Sequence, residues 1–465
     1  MSGENTPDRQ DMADVLEFAV SQGCEFAEIF YEDRRSFYFL LEDSKAEKVS
    51  SGTDSGVGIR LINSGSTSYG YSNIITRDEM MKVVRELMED TAVSAGGRYI
   101  PPAGMVFGGG DGIEIFAGDV PSDEKLHLAF MADREARKLS GEIVQVSVRY
   151  GDSCQLVRVF NSEGVAVEDL RRQIFFNIRA VASDGTSTQS ASRSVGGHHG
   201  FEYLSGDLAK QLGLETAESA VRILHAPRIS GGTMPVVIGS EAGGTMVHEA
   251  IGHGLEGDSA SRGQSIYSGR LGEKVASGLV TVVDDSTLPG KRGSYSFDDE
   301  GTPAGRTVLV EDGVLRGFIH SRESAQRMGT VSTGNGRRQS FRYRPIVRMT
   351  NTQITAGEHD PGQILGSVDG GLYVKRMGGG QVDTSSGDFV FRVNEGYRIE
   401  RGRIKEPVRG ATLIGNGPEI LRQIDMVGSD LGFDIGTCGK DGQQVPVSDA
   451  QPTIRIPSIT VGGEE

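Results

Sequence analysis

The sequence predicts an α+β protein with two domains, and three observations support this prediction. The chain has 465 residues, which is enough for two or three domains. In its first half, amphipathic helices are followed by runs of strand-forming residues, and this order occurs twice. After about residue 230, short strands and glycine turns predominate around one helix. We therefore expect an N-terminal α+β domain over residues 1–229 and a C-terminal, mainly antiparallel β domain over residues 230–465.

The N-terminal domain is predicted to contain two similar units, each a helix with antiparallel strands, at about residues 1–97 and 120–229. The strands of the first unit are expected to form two hairpins, one turning at the charged residues 32–35 and one at residues 63–65. Helices are predicted where apolar residues recur every three or four positions, namely over residues 8–22, 77–95, 122–139 and 205–224.

Composition disfavours several classes of protein. The formal net charge of −16 argues against a protein that holds nucleic acid through phosphate contacts. No apolar run reaches the length that spans a bilayer, and residues 1–5 are polar, so we expect neither a membrane segment nor a signal peptide. The three cysteines lie far apart and do not form a disulfide framework. These features predict a cytoplasmic protein without nucleic-acid or membrane partners.

The C-terminal domain is expected to be organised around one helix within residues 240–258, which Ser240 would cap. This helix carries His248, Glu249 and His253, a pattern one residue longer than the zinc pattern H-E-x-x-H. Side chains five residues apart on a regular α-helix point away from each other. The two imidazoles can therefore share one metal ion only if the helix widens into a π-type turn or unwinds.

Gly252 suits such a distortion, because glycine weakens a regular helix. The alternative is that the two histidines are unrelated groups near a helix end. A catalytic zinc needs three protein ligands and an open position. By chemistry alone, the third ligand could be Glu256, Asp258, His320 or Cys438.

Cys438 lies between glycines in a segment that we expect to be a turn, with Lys440 nearby to favour the thiolate. A buried, inert cysteine is the alternative interpretation. A nucleophilic thiol is a third interpretation, but the sequence identifies no partner histidine for it. A serine hydrolase is disfavoured because the chain has no G-x-S-x-G motif.

Two further segments could contact a peptide. The backbone of Gly379, Gly380 and Gln381 could pair with an extended peptide by strand addition, although a plain glycine turn is the alternative. Arg337 and Arg338 could bind a peptide carboxylate or an acidic group of another subunit. Simple solvated charge is the alternative for these two arginines.

The motif at residues 248–258 resembles the metal motif of the TldD/PmbA family, and of its TldD branch in particular. The resemblance is specific in the C-terminal half and looser in the N-terminal half. Further matching segments lie at residues 282–285, 298–303, 334–338, 378–383, 407–415 and 437–443.

The resemblance implies a zinc-dependent peptidase that acts on peptides and unfolded polypeptides. It implies His248, His253 and Cys438 as the zinc ligands and Glu249 as the general base that acts on zinc-activated water. It also implies paired subunits that enclose the active site, either with a PmbA-type (TldE-like) partner or as a homodimer. The competing hypothesis is a non-catalytic regulatory or assembly subunit of a protein complex, which would not need an intact Glu249.

Overall fold

The computed structural model describes residues 7–89, 96–110 and 112–463. Within these ranges the protein is an α+β structure with two seven-stranded sheets, one six-stranded sheet and one two-stranded ladder. No helix in these ranges is long and apolar enough to cross a membrane. The polar residues 1–5 and the end of the predicted helix at 90–95 lie outside the described residues.

The N-terminal part contains four helices packed on one sheet within the described ranges. Its sheet has the strand order β3-β2-β1-β5-β6-β7, with all of these neighbours antiparallel, and β4 pairs in parallel with β6. The strands of both predicted units therefore share a single sheet. The elements are α1 (Arg9–Ser21), β1 (Phe26–Glu42), β2 (Lys45–Asn63), β3 (Ser66–Ser72), α2 (Arg77–Glu89), β4 (Val106–Phe107), α3 (Ser122–Leu139), β5 (Ile143–Asn161), β6 (Ala166–Ser183), β7 (Thr188–Gly197) and α4 (Gly206–Leu224).

All four helices predicted from apolar spacing are present as α1 to α4, and the hairpin predicted at residues 63–65 joins β2 to β3. Ser64 and Gly65 both have positive φ, which suits the right-handed twist of the two strands. One core lies between α1, α2 and the first strands, and it includes Met12, Met80 and Ile59. A second core, formed under α3 and α4, covers the later strands.

The hairpin predicted to turn at residues 32–35 is wrong, because β1 runs without a break through these residues. A run of charges is typical of a turn, and the sequence does not reveal that these charges have partners in another part of the chain. Glu32 is buried, and its carboxylate accepts hydrogen bonds from the Phe341 backbone N–H and the Gln155 side chain, each at 2.8 Å.

The C-terminal part contains short helices and two larger sheets, with a shared hydrophobic core. Its elements are β8 (Gly232–Ile238), α5 (Thr245–Val247), α6 (Gly257–Ser261), β9 (Val282–Asp285), β10 (Arg306–Glu311), β11 (Val314–Leu315), α7 (Arg322–Met328), β12 (Gly336–Arg337), β13 (Ile346–Val347), β14 (Asn351–Ile354), α8 (Pro361–Gly366), β15 (Gly370–Val382), β16 (Asp388–Glu400), β17 (Arg403–Val408), β18 (Thr412–Asn416), α9 (Gly417–Gln423), β19 (Met426–Val427), β20 (Gly432–Lys440), β21 (Gln443–Gln451) and β22 (Ile454–Gly462).

The six-stranded sheet has the order β11-β10-β9-β14-β21-β20, so β20 lies at its edge. The seven-stranded sheet has the order β15-β8-β22-β18-β16-β17, and its seventh strand, β19, pairs with β22. The sheet closes on itself, because β15 also pairs with β16. Most neighbouring strands are antiparallel, and the exceptions are β8 with β15 and β14 with β21. This arrangement confirms the predicted mixed fold with a mainly antiparallel C-terminal part.

Candidate metal centre

The chain between β8 and α6 forms an irregular helix rather than a continuous one. A 3₁₀ turn at Ser240–Ala242 ends at Gly243, which has a φ of 67°. The helix α5 then continues into a π turn over His248–Gly252 and a 3₁₀ turn over His253–Leu255. The distortion required by the five-residue histidine spacing is therefore present.

The predicted cap at Ser240 is wrong. Ser240 begins the earlier 3₁₀ turn, and Gly244, which has no side chain, occupies the position before α5. The positive φ of Gly243 separates the two helical pieces, so the Ser240 side chain is not next to the free backbone N–H groups of α5. The sequence pattern did not reveal this break.

His248, His253 and Cys438 converge at one point. The Cys438 sulfur lies 3.3 Å from Nε2 of His248 and 3.6 Å from Nε2 of His253, and the three candidate ligand atoms lie within 4.8 Å of one another. A tetrahedral zinc ion with typical bond lengths holds its nitrogen and sulfur ligands roughly 3.5 Å apart. The donor types and the two sulfur–nitrogen separations therefore fit a zinc ion.

Cys438 lies in β20, so the turn expected at this residue is wrong. It pairs with Val445 of β21, and the chain reverses at Asp441 and Gly442, which both have positive φ. Glycines near a cysteine suggested a turn, but here the glycines form part of a strand. The Cys438 side chain is buried and points toward the two imidazoles.

The neighbouring histidines favour the thiolate form of Cys438, which is the form that binds a metal ion. Burial raises the pKa of the Cys438 thiol, but hydrogen bonds from the two histidines lower it to about 6. Burial lowers the pKa of His248, yet the Asp449 carboxylate raises it well above its usual range. Burial likewise lowers the pKa of His253, and the charge of Glu256 raises it to about 10. Metal binding would therefore release protons mainly from the imidazoles.

Each imidazole is oriented by a carboxylate. Nδ1 of His248 lies 2.7 Å from Asp449, and Nδ1 of His253 lies 3.2 Å from Glu256. These contacts leave both Nε2 atoms directed toward the sulfur. In metal sites, a carboxylate that accepts a hydrogen bond from the other ring nitrogen sets the orientation of the imidazole in the same way. Nζ of Lys440 lies 3.0 Å from Glu256 and offsets its charge.

The other candidates for third ligand have different contacts. Glu256 and Asp258 both contact Lys440, and the ring of His320 lies 3.1 Å from the Ser324 hydroxyl. Sequence reasoning missed Asp449 altogether. The available signal was an acidic residue in a mostly buried strand that follows the strand of the cysteine along the chain.

Glu249 lies beside the three converging residues on their accessible side. Its carboxylate oxygen is 4.0 Å from Nε2 of His253, and 29% of its side chain is exposed. His253 is partly exposed, whereas His248 is buried. Solvent can therefore reach Glu249 and the edge of the histidine pair.

The predicted peptide-contact residues lie in β15, so the alternative of a plain glycine turn is wrong. Gly380 pairs with Phe391 and Gln381 with Val390, both in β16. On its other edge, β15 pairs with β8 only through residues 372–374, within the part of the chain that the structure describes. Peptide binding at Gly379, Gly380 and Gln381 stays a prediction.

Three domain models match most of the chain. Their descriptions are PmbA/TldA metallopeptidase domain 1, central domain and C-terminal domain, and they match residues 27–91, 117–224 and 231–463. The chain is 35% identical to the metalloprotease TldD homolog of Haemophilus influenzae, over 98% of this chain and 96% of that protein. It is 39% identical to a metalloprotease of Methanothermobacter thermautotrophicus, over 96% and 97% of the two chains.

Solved structures show the same fold. A putative modulator of a DNA gyrase from Thermotoga maritima superposes with a TM-score of 0.82 at 22% identity, covering 97% of this chain and 99% of that one. TldE from Thermococcus kodakarensis gives a TM-score of 0.77 at 17% identity, with 97% and 100% coverage. Together with the sequence matches, which extend over nearly the whole length, these likenesses lead to one conclusion: the chain belongs to the PmbA/TldD metallopeptidase family.

Proposed function

We propose that this protein is a zinc-dependent peptidase that hydrolyses peptide bonds in peptides and unfolded polypeptides. The proposed zinc ligands are His248, His253 and Cys438, and the proposed general base is Glu249. The observation that carries the proposal is the convergence of two imidazole nitrogens and one sulfur beside an accessible glutamate. Relatives named metalloproteases support it.

Zinc, when bound, supplies polarisation of the scissile carbonyl and acidification of water. The chain's own groups perform the remaining tasks. Asp449 and Glu256 fix the orientation of the two imidazoles through their Nδ1 atoms. The Glu249 carboxylate accepts a proton from the attacking water and then donates that proton to the leaving amine. The buried surroundings of His248 and Cys438 exclude bulk water from the inner side of the site.

We also propose a subunit pair, formed with a TldE-like partner or with a second copy of this chain, that acts in the cytoplasm. Membership of the family and the structural likeness to TldE support the pairing. Gly379, Gly380 and Gln381 are proposed to contact the peptide through the partly unpaired edge of β15. A non-catalytic subunit is the competing function, and one experiment separates the two.

The experiment measures zinc content and cleavage of casein and peptides by the full chain, alone and with a TldE-like partner. Glu249→Gln is expected to retain zinc and to lose activity by about 100-fold or more, because it removes the base. Cys438→Ser is expected to lose both zinc and activity. Glu241→Gln is the matched control, since Glu241 is an exposed glutamate of the same segment.

Cleavage by Glu249→Gln at the parent rate would show that Glu249 is not the base. A parent protein that binds zinc but cleaves nothing, with or without its partner, would favour the non-catalytic subunit. The proposed ligand set would be contradicted if the parent protein cleaves without zinc and the Cys438→Ser variant cleaves at the same rate as the parent.

A further inference from the structure

A second site lies on the other side of the strand that carries Cys438. It is a cavity of about 300 Å³ between the N-terminal sheet and the C-terminal part. Thr437, the neighbour of Cys438 in β20, lines this cavity together with residues of β5 and β6. The charged groups in its walls are Arg34, Arg171, Arg292, Arg337, Arg338 and Asp299.

Two of the five arginines already have carboxylate partners. Nη1 of Arg171 lies 2.7 Å from Asp299, and Nη2 of Arg338 lies 2.6 Å from Glu28. The Asp299 carboxylate also accepts a hydrogen bond from the backbone N–H of Arg338. Asp299, the one acidic residue among the described residues that line the cavity, therefore already has partners and does not offset the charge of the other arginines.

The remaining three guanidinium groups, of Arg34, Arg292 and Arg337, have no carboxylate within 4.0 Å in the described ranges. Arg337 is buried and donates to the backbone carbonyls of Met349 and Pro446. These carbonyls satisfy hydrogen bonds, but they do not neutralise the positive charge. Simple solvated charge is therefore wrong for Arg337, and it is also wrong for Arg338, which is buried against Glu28.

Of the three, Arg292 is the one with a buried guanidinium nitrogen, Nε, that lacks a hydrogen-bond partner in the described chain. It is partly buried, and its Nη2 lies 3.5 Å from the Thr437 hydroxyl. Burial, together with the charge of Arg34, lowers the pKa of Arg292 to about 10. It is still a cation at neutral pH, and an anion in the cavity would offset the cost of this unpaired charge.

The lining suits a carboxylate. A guanidinium group can donate two parallel hydrogen bonds to a carboxylate, and the lining side chains of Ser153, Gln155 and Gln173 add further polar groups. The cavity reaches solvent, because Thr437 and Gln444 at its wall are exposed. An anionic group can therefore enter from outside.

The cavity lies close to the candidate metal centre. Successive side chains of a strand point to opposite faces, so Thr437 faces the cavity and Cys438 faces the histidines. Neighbouring Cα atoms are about 3.8 Å apart, and the side chains of Thr437 and Cys438 extend from them in opposite directions. A group bound beside the Thr437 hydroxyl and one bound beside the Cys438 sulfur would therefore lie on the order of 10 Å apart, which is roughly three extended residues. β20 is an edge strand that is exposed at Thr437 and Gly439, on either side of Cys438. An extended peptide that passes this end of the strand can therefore reach both sites.

We propose that this arginine-lined cavity binds a carboxylate of the peptide substrate, either its C-terminal carboxylate or an acidic side chain roughly three residues from the scissile bond. The proposal rests on the proposed peptidase function, because it assigns the substrate class of the same site. It makes the protein selective for peptides that carry a negative charge at that position.

The test compares three fluorescent peptides that share one base sequence. The first has a free C-terminus, the second is amidated, and the third is amidated and has a glutamate substituted three residues from its end. Their affinities are measured by anisotropy on zinc-loaded full-length Glu249→Gln protein, which is not expected to cleave them. The Glu249→Gln protein without further substitutions is the parent of this binding series. Its affinity for one of the charged peptides is expected to exceed its affinity for the plain amide by about tenfold or more. The preferred charged peptide distinguishes a terminal carboxylate from an acidic side chain.

Two variants then test the cavity itself. The affinity ratio is the affinity for the preferred charged peptide divided by that for the plain amide. Arg292→Gln is expected to bring this ratio close to one, and Arg34→Gln, at an exposed position, is expected to lower it in part. Arg392→Gln is the matched control, because Arg392 is an exposed arginine of β16 that does not line the cavity, and it should keep the ratio. A variant that is merely less stable would weaken all peptides alike and leave the ratio unchanged.

The proposal is overturned if the parent binds charged and amidated peptides equally, if both cavity variants keep the parent ratio, or if no peptide binds. Cleavage of casein and of the amidated peptide by the protein with intact Glu249 is measured in parallel. Cleavage together with an affinity ratio of one would remove the carboxylate site but keep the peptidase function. Absence of cleavage would instead count against the peptidase function.

Discussion

Asp449 orients the imidazole of His248, and substitution of Asp449 tests this role. Its carboxylate accepts the hydrogen bond from Nδ1 of His248 at 2.7 Å and so keeps Nε2 directed at Cys438. Asp449→Asn keeps the shape of the side chain and removes its charge. We expect zinc affinity to fall by about 10- to 100-fold, because a ligand without its orienting carboxylate is less basic and less well held. Competition with a chromophoric chelator measures this affinity.

The matched control is Asp441→Asn at the tip of the same hairpin. Asp441 is exposed and has a φ of 50°, a conformation that asparagine tolerates. This variant should bind zinc as the parent does. Equal zinc affinity in Asp449→Asn and the parent would mean that Asp449 does not orient the ligand.

The sequence is enough to propose the ligands, but it does not indicate the residues that orient them. His248, Glu249 and His253 are close in sequence, so a helical pattern could place them together. Only the family resemblance indicates Cys438, since spacing leaves four candidates for the third ligand. Asp449 was missed because its contact with His248 joins residues that are 201 positions apart.

The π turn is the element on which the histidine pair depends, and Gly252 forms its end. A Cβ on Gly252 would lie 2.2 Å from Sδ of Met349, a fully buried side chain with little room to move. Gly252→Ala is therefore expected to lower the free energy of unfolding by about 1–3 kcal/mol, as overpacking does. It should also weaken zinc binding, because the turn must shift and separate the two imidazoles. Urea unfolding and chelator competition measure the two effects.

Gly366→Ala is the control for this substitution. Gly366 is the last residue of α8, and a Cβ there would meet nothing within 4 Å. That variant should be as stable as the parent or slightly more so, because alanine favours a helix. Unchanged stability and zinc binding in Gly252→Ala would show that the close packing against Met349 does not hold the turn.

At the scale of elements, periodic helices were predictable and long strands were not. The helix α3 matches its predicted range because apolar residues recur along it at helical spacing. The charges of residues 32–35 predict a turn within β1, although Glu32 is buried against Phe341 in a continuous strand. The partners of such charges come from distant segments, and a local pattern does not contain them.

Contacts between charged groups of distant segments also join the N-terminal and C-terminal parts, and those of Glu395 are an example. It lies in β16, is buried, and accepts hydrogen bonds from Ser219 and Arg222 of α4 and from Arg193 of β7. The Tyr397 hydroxyl donates to the same carboxylate at 2.6 Å. These contacts join the N-terminal sheet to the C-terminal part across more than 170 positions of sequence.

Glu395→Gln tests this junction. Removing one partner of a buried ion pair leaves the arginines uncompensated, so the free energy of unfolding is expected to fall by about 3–5 kcal/mol at neutral pH. Glu400→Gln, an exposed glutamate of the same strand, should change stability by less than about 0.5 kcal/mol. Urea midpoints at neutral pH measure both.

The pH dependence of the same variant separates lost charge from lost packing. Burial alone would raise the pKa of Glu395, but hydrogen bonds from Tyr397 and Ser219 and the charge of Arg193 lower it to about 2. A carboxyl whose folded pKa is lowered stabilises the fold above its usual pKa, and this contribution is lost as the pH falls toward about 2. The stability gap between parent and Glu395→Gln should therefore narrow in acid. A gap that stays constant from neutral to acid pH would mean that the variant acts through packing, and that the charge of Glu395 does not hold the two parts together.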